Sequence, residues 1–207
     1  MSTPDEVLEF WFEAAPAADA AALRQKMQRW YMGGPTLDAE IRERFGADVD
    51  RAVKGELADW ASTPRGRLAL VLLLDQFTRN VYRETAQAYA GDAQAQAIAT
   101  EAFDQGLDRE LDLEMRQFLM MPLVHAEDLP LQERACELMT KLVDEAPEEL
   151  RPIFGMGVEQ TRKYRDVISR FGRFPHRNGV FGRKTTPEEK AFLKDWADKM
   201  PPSGARS

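Results

Sequence analysis

The chain has 207 residues, of which 43% are hydrophobic and 30% are charged, an ordinary composition for a globular protein of one domain. Its net charge of −7 would repel a polyanion, which argues against general binding to nucleic acid. The single cysteine, Cys136, cannot form a disulfide within the chain and fits a reducing cytoplasm.

The sequence gives no sign of secretion or of a membrane partner. The first six residues lack the basic start and apolar core of a signal peptide. The longest apolar run, 68–74, is far below the roughly 20 residues needed to cross a bilayer. We therefore expect a cytoplasmic protein, and the sequence leaves its oligomeric state open.

Helix signals begin almost at once. Thr3-Pro4-Asp5-Glu6 has the pattern of a capping box, with proline at the first helical position. An alanine-rich connection then leads into a helix ending near Trp30, and Gly33-Gly34-Pro35 predicts a turn. Apolar residues between Ile41 and Val53 have helical spacing and predict a helix that closes at Gly55.

The stretch from Leu68 to Arg83 predicts a helix at the centre of the domain. Its first half is apolar on every side and rich in leucine, a strong helix former. Asp75 shares a face with Leu68 and Val71, so its carboxylate should point inward and need a partner. Arg79, one turn further on, is one candidate partner, and the arginines of a later loop are others.

Further amphipathic helices follow, and Asp92 is a candidate cap for the first of them. The apolar patterns lie at 95–103, which is the segment that Asp92 would cap, and at 118–124, 131–143, 158–171 and 192–200, and Thr186 opens a second capping box. There is no hairpin signal and no strict repeat. We predict an all-α fold with a single domain over residues 1–200 and a flexible tail at 201–207.

A loop at 170–178, Arg-Phe-Gly-Arg-Phe-Pro-His-Arg-Asn, is the strongest candidate for a functional segment. Gly172 suits a left-handed residue that ends the preceding helix. Residues 162–184 contain eight basic residues and one acid, a net charge of +7, so the remainder carries −14. Such a segment indicates either pairing with acids elsewhere or a site for an anion, with Arg173 as the expected donor.

Four motifs resemble the bacterial domain-of-unknown-function family 924. They are Val7–Phe12, Leu72–Arg83, Pro122–Asp128 and the loop at 170–178, and the resemblance covers nearly the whole chain. It implies a helical fold similar to tetratricopeptide-repeat proteins, a right-handed array of antiparallel helix pairs, and no established activity. Two departures are Thr78, where the family's motif has proline, and Tyr164, where members often have histidine.

The sequence contains no motif typical of a metal site, a nucleophilic hydrolase or a phosphate-binding loop. The two histidines, His125 and His176, have no metal-ligand spacing, so we expect neither a metal nor another cofactor. There is no Gly-x-Ser-x-Gly motif and no glycine-rich phosphate loop. Cys136 lies on an apolar helix, the usual place for an inert thiol.

What is left is a constellation of Arg, Asn, His and Asp side chains. It could bind a small anionic ligand, with His176 and Asp75 as catalytic candidates; it could belong to a helical groove that binds a peptide; or it could be a structural network only. The candidate ligand-binding residues are Asp75, Gln76, Arg79, Asn80, Arg83, His125, Arg173, His176, Arg177 and Asn178.

These candidates come from two distant stretches of the chain. We expect the loop at 170–178 to pack over the polar end of the 65–83 helix. A side chain of the loop should then hydrogen bond, directly or through one water, to Asp75, Gln76, Arg79 or Asn80. His125 should lie near the same cluster.

Overall fold

The structure, a computed structural model, describes residues 1–13 and 16–199, and every regular element within them is a helix. The predicted all-α class and single domain are confirmed, whereas the tetratricopeptide-repeat-like array stays a prediction. The predicted tail at 201–207 lies outside the described residues. The α-helices are α1 (Pro4–Phe12), α2 (Ala20–Met32), α3 (Gly34–Val53), α4 (Pro64–Val71), α5 (Thr78–Val81), α6 (Asp92–Asp104), α7 (Leu113–Val124), α8 (Leu129–Glu145), α9 (Arg151–Phe171) and α10 (Pro187–Lys199).

Most of the predicted helix signals are confirmed. Thr3 forms the expected capping box with Glu6 at the start of α1. The predicted turn at 33–35 was wrong, because α3 already begins at Gly34. Short 3₁₀ helices occupy Ala58–Ser62, Ala86–Tyr89, Leu107–Glu110 and Pro175–Arg177. No described helix is long and apolar enough to cross a membrane.

The centre of the molecule is one continuous helical run made of α4, a π-helical segment at Leu72–Phe77 and α5. Its side chains at 68, 72, 73, 74 and 77 are completely buried. Aromatic rings of α1 and α3 pack against it, and Phe77 lies 5.4 Å from Trp11 and 5.3 Å from Phe45 between ring centroids. Burial on all sides explains why this run is apolar all round.

The π-helical segment was not predicted from the sequence. The N–H of Thr78 donates to the carbonyl of Leu73, five residues back instead of four. The Thr78 hydroxyl also donates to the carbonyls of Leu74 (2.9 Å) and Asp75 (3.2 Å). Such wider turns are rare and often occur at functional sites. This one carries Asp75 and Gln76.

Helix α6 approaches this segment through a glycine. A Cβ atom at Gly91 would lie 2.4 Å from the carbonyl oxygen of Leu74 and 2.9 Å from its Cα atom. Only glycine therefore allows the start of α6 to touch the π-helical backbone. The contact brings Asp92, the first residue of α6, beside Arg79. The prediction that Asp92 is the cap was wrong, since Gly91 holds the N-cap position.

Replacing Gly91 with alanine tests this close approach. We expect Gly91→Ala to lower the free energy of unfolding by about 1–3 kcal/mol, because the backbone of Leu74 has to move. The measurement is urea denaturation at neutral pH.

Gly155→Ala is the matched control. Gly155 lies in α9, and a Cβ atom there meets no described atom within 4 Å. This change should raise the free energy of unfolding by up to about 1 kcal/mol, as expected for alanine in a helix. Equal effects of the two substitutions would contradict the close approach at Gly91.

Candidate functional site

The site is built around the carboxylate of Asp75, which is completely buried. The ring nitrogen Nδ1 of His125 lies 2.8 Å and 3.0 Å from its two oxygens. Arg79 Nη1 lies 3.1 Å from Oδ1, and Gln76 Nε2 donates to Oδ2 at 2.5 Å. The inward orientation of Asp75 and the proximity of His125, both predicted, are confirmed.

These partners keep Asp75 charged. Burial alone would raise the pKa of this carboxyl group. The positive charge of Arg79 and the interactions with His125 and Gln76 outweigh burial, so the pKa lies well below its usual range. The ionised carboxylate of Asp75 accepts a hydrogen bond from Nδ1 of His125 and so orients the imidazole ring.

The backbone at the end of α7 fixes the position of His125. This helix contains Pro122, and His125 is its C-cap. The buried amide of Gln132 donates to the carbonyls of Val124 (2.6 Å) and Ala126 (2.8 Å), on either side of the histidine. The ring is therefore anchored by backbone on one side and by Asp75 on the other. No described residue hydrogen bonds to its Nε2 atom.

A second carboxylate, that of Asp92, joins the centre to the loop at 170–178. Arg79 Nη2 donates to Asp92 Oδ2 at 3.1 Å, and Arg177 Nη1 lies 3.9 Å from the same oxygen. The loop therefore does pack beside the polar end of the central helix. No direct hydrogen bond to Asp75, Gln76, Arg79 or Asn80 is present among the described contacts, and the connection through Asp92 was not foreseen.

Arg177 is buried, and its described counter-charge, the carboxylate of Asp92, is 3.9 Å away and not hydrogen bonded to it. Its side chain is 7% exposed, and its guanidinium lies between the rings of Tyr89 and Phe174, 4.8 Å and 4.5 Å from their centroids. It makes no side-chain hydrogen bond to a described residue, and its Nε atom is buried and unpartnered. Burial and the nearby charge of Arg79 lower its pKa. A buried guanidinium in this state lacks a hydrogen-bonded anionic partner.

Two other loop residues proved to be structural. Arg173 Nε and Nη2 bind the two oxygens of Glu189 at 2.7 Å and 3.0 Å, and Asn178 Nδ2 donates to the same carboxylate at 3.2 Å. Glu189 is the acid of the predicted capping box, closed with Thr186 at the start of α10. Arg173 was predicted as the anion-binding donor, and in the structure its guanidinium pairs with Glu189.

The polar residues beyond the π-helical segment have a partner of their own. Asn80 Nδ2 donates to Asp38 at 2.8 Å, and Arg83 binds both oxygens of that carboxylate at 2.6 Å. Asp38 lies on α3 and carried no signal in the sequence. Arg83 and Asn80 thus fasten the central helix to α3, while their side chains also form part of a cavity wall.

Two adjoining cavities meet at the site. The smaller, about 60 Å³, is lined by polar and aromatic side chains, among them Arg177, His176 and Tyr89. The larger, about 330 Å³, is mainly apolar. Both are lined by Arg79, Arg83, His125 and Tyr164, so these four residues form the shared wall. Arg173 and Asn178 line neither cavity.

The apolar part of the larger cavity is formed by residues that sequence reasoning did not assign to a site. Its apolar lining includes Trp11, Trp30 and Leu37, together with five methionines at 27, 32, 121, 139 and 156. Methionine is flexible and adapts its shape to an apolar partner. The aromatic run in α1 could have been read as a cavity wall, but nothing in the sequence separates a cavity lining from a solid core.

His176 differs from His125 in its surroundings. It lies in the smaller cavity with its ring 5.4 Å from that of Phe174. Burial and the adjacent charge of Arg177 lower its pKa to about 4, so it is neutral at pH 7. His176 and Asp75 were both named as catalytic candidates, and the histidine that contacts Asp75 in the structure is His125.

The described residues contain no group of three or more His, Cys, Asp or Glu side chains arranged to hold a metal ion. We expect the melting temperature to be the same with and without a chelator.

Comparison with known proteins gives a family but no function. Residues 7–196 match the family model described as "Bacterial protein of unknown function (DUF924)". Among solved structures, the chain is similar to the protein of unknown function ATU0120 from Agrobacterium tumefaciens. The TM-score is 0.76 and the sequence identity 35%, covering 93% of this chain and 97% of the other. No curated protein matches the chain.

The depressed pKa of His176 has a consequence for stability. A histidine with an ordinary pKa near 6.5 in the unfolded chain and about 4 when folded binds its proton preferentially in the unfolded state between these values. Stability contributed by neutral His176 is therefore present above pH 6.5 and lost as the pH falls towards 4.

His176→Gln should remove this part of the pH dependence. Between pH 7 and pH 5, we expect the wild type to lose about 2 kcal/mol more free energy of unfolding than the variant. Denaturant titrations of both proteins at the two pH values measure the difference. Parallel curves would show that His176 is not held in a neutral state.

Proposed function

The chain belongs to the bacterial protein family DUF924, and we propose that it binds a small anionic molecule whose charged head is a carboxylate and whose body is apolar. The head enters the smaller cavity beside Arg177. The body fills the larger cavity. The shared wall of Arg79, Arg83, His125 and Tyr164 lies where head and body join.

One observation carries this proposal: Arg177 is buried, lines a cavity and has no hydrogen-bonded counter-charge among the described residues. The other arginines of the site are engaged, because Arg79 binds Asp75 and Asp92 and Arg83 binds Asp38. Arg177 has only the 3.9 Å ion pair with Asp92, and a buried charge without a hydrogen-bonded counter-charge is costly. A carboxylate in the smaller cavity supplies the missing negative charge and can accept two N–H groups of one guanidinium.

The volume and chemistry of the smaller cavity favour a compact head group. About 60 Å³ gives room for a carboxylate or a few water molecules, roughly one water needing at least 10–15 Å³. His176 is neutral there, so it can donate a hydrogen bond without adding charge. Tyr89 and Phe174 cover the faces of the Arg177 guanidinium and keep its N–H edge as the polar contact.

The larger cavity provides most of the binding energy in this proposal. Its lining of tryptophan, leucine and methionine side chains suits an alkyl or aryl body, and burial of apolar area contributes about 25 cal/mol per Å². Few polar groups and many apolar ones are the usual composition of a small-molecule site.

A peptide is the alternative ligand. Met32 and Met156 belong to the lining of the larger cavity and are 58% and 53% exposed. Exposed methionines at a cavity rim resemble surfaces that accept apolar peptide side chains. In this alternative the peptide's side chain enters the larger cavity and no carboxylate is required.

We propose a cytoplasmic location for the protein. The one cysteine, Cys136, is a free thiol. Burial raises its pKa, which disfavours the reactive thiolate.

Binding of octanoate tests the proposal. We expect octanoate to change the tryptophan fluorescence, since Trp11 and Trp30 line the larger cavity, and to raise the melting temperature. Octanol lacks the charge and acetate lacks the body, so each should bind at least about tenfold more weakly, a difference of roughly 1.4 kcal/mol. Octanol or a leucine-rich peptide binding as well as octanoate would favour the alternative.

Two arginines of the same loop form a matched pair for this test. Arg177→Gln should weaken octanoate binding at least about tenfold, because the counter-charge of the carboxylate is lost. Arg170→Gln should leave it unchanged, because Arg170 is exposed, pairs with the exposed Glu188 and lines neither cavity. Equal loss in both variants would contradict the role of Arg177, and the comparison of the three ligands on the wild type holds even if Arg177→Gln does not fold.

A further inference from the structure

The residues of the shared wall can do more than bind. We propose that the site hydrolyses acyl esters of small 2-hydroxy acids, with His125 as general base, and this proposal rests on the ligand class proposed above. The hydroxy acid's carboxylate lies by Arg177, and the acyl chain lies in the larger cavity. The ester bond between them is then next to His125 and Tyr164.

The position of the ester bond follows from the arrangement of the two cavities. Arg177 lines only the smaller cavity and the tryptophans line only the larger one. A ligand that fills both must cross the wall between them. In an acylated 2-hydroxy acid, the ester oxygen is attached to the carbon that bears the carboxylate, so the ester lies one carbon away from the head. The crossing point and the reactive bond therefore coincide.

His125 has the attributes of a general base. Its Nδ1 is bound to the buried carboxylate of Asp75 at 2.8 Å and 3.0 Å, which orients the ring and stabilises the imidazolium once it forms. Its Nε2 has no hydrogen-bond partner among the described residues, and the ring borders both cavities. Asp75 acts through His125 and is a positioning residue, not a catalytic one.

Water is the nucleophile that the lining allows. No serine or cysteine is among the described residues that line either cavity, and the hydroxyl of Thr161 donates to the carbonyl of Gly157. The smaller cavity has room for water beside the carboxylate. A single histidine at the wall suits an ester better than an amide, because an alkoxide needs less help to leave than an amine anion.

The reaction balances with water alone. The water oxygen attacks the acyl carbon while His125 Nε2 takes a water proton, and the carbonyl electrons move onto the carbonyl oxygen. This oxyanion then reforms the carbonyl, the bond from the acyl carbon to the ester oxygen breaks, and the leaving oxygen takes the proton from Nε2. The products are a carboxylic acid and a free 2-hydroxy acid.

In this proposal the hydroxyl of Tyr164 stabilises the oxyanion. Its ring lies in the shared wall, 5.4 Å from that of Phe174 between centroids. Burial raises the pKa of its hydroxyl above the ordinary value, so the group stays protonated and can donate. A donor aimed at developing charge contributes to the rate and little to ground-state binding.

The test uses octanoyl glycolate, the octanoic ester of glycolic acid, and follows octanoate release by the full-length protein. We expect saturable turnover, with ethyl octanoate, which lacks the carboxylate, at least about tenfold poorer in kcat/KM. His125→Ala should lower kcat at least about 100-fold. Added imidazole should restore part of the rate, which would not happen if His125 were merely structural.

Tyr164→Phe gives a second readout that does not depend on folding of the histidine variant. We expect kcat to fall by about tenfold or more while KM stays near the wild-type value. A rise in KM with kcat unchanged would mean that Tyr164 contributes only to binding, and this result would count against the proposal.

The outcomes separate this proposal from the one it rests on. Octanoate binding without turnover of octanoyl glycolate would overturn hydrolysis and leave the binding function standing. Turnover that His125→Ala does not reduce would also overturn it. Failure of both binding and turnover would overturn both proposals.

Discussion

The buried charge of Asp75 is the constraint on which the rest of the site depends. A carboxylate with no exposed surface has to be paired and hydrogen bonded, or it would be neutralised. Its partners come from the next turn of its own helix, Arg79, and from the end of α7, His125. Removing one member of such a pair typically costs about 3–5 kcal/mol, because the other is left unpaired. The carboxylate thus ties α7 to the central helix and fixes the orientation of an imidazole at the same time.

A backbone irregularity supports this arrangement. The π-helical segment at Leu72–Phe77 carries Asp75, and the hydroxyl of Thr78 satisfies two of its carbonyls. Gly91 lets α6 contact the same backbone, which places Asp92 beside Arg79. Arg79 is therefore shared between two acids from two elements. The irregular turn, the glycine contact and the paired arginine together position one side of the cavity wall.

The loop at 170–178 contains two kinds of polar residue with different tasks. Arg173 and Asn178 bind Glu189 and hold the loop to the start of α10, while the N–H of Phe174 donates to Glu127 next to α8 at 2.8 Å. Held in this way, the loop presents Arg177 and His176 to the smaller cavity. Rigid anchoring of the loop allows Arg177 to stay buried without a hydrogen-bonded anion among the described residues, a state that the proposed ligand would relieve.

The sequence by itself determined the helical class, the capping boxes, the central buried helix and the inward Asp75, because these follow from local periodicity and from the cost of burying a charge. It also singled out the loop at 170–178. The sequence could not show which of its arginines pairs with an acid and which lines a cavity, because Arg173 and Arg177 differ only in the residues that folding brings beside them. Tertiary structure decided that Glu189 pairs with Arg173 and that His125, not His176, contacts Asp75. It also decided that Asp38 pairs with Arg83 and that Asp92 pairs with Arg79. It also decided that part of the apolar lining encloses a cavity. Those outcomes depend on distances between residues far apart in the chain, and local sequence carries no record of such distances.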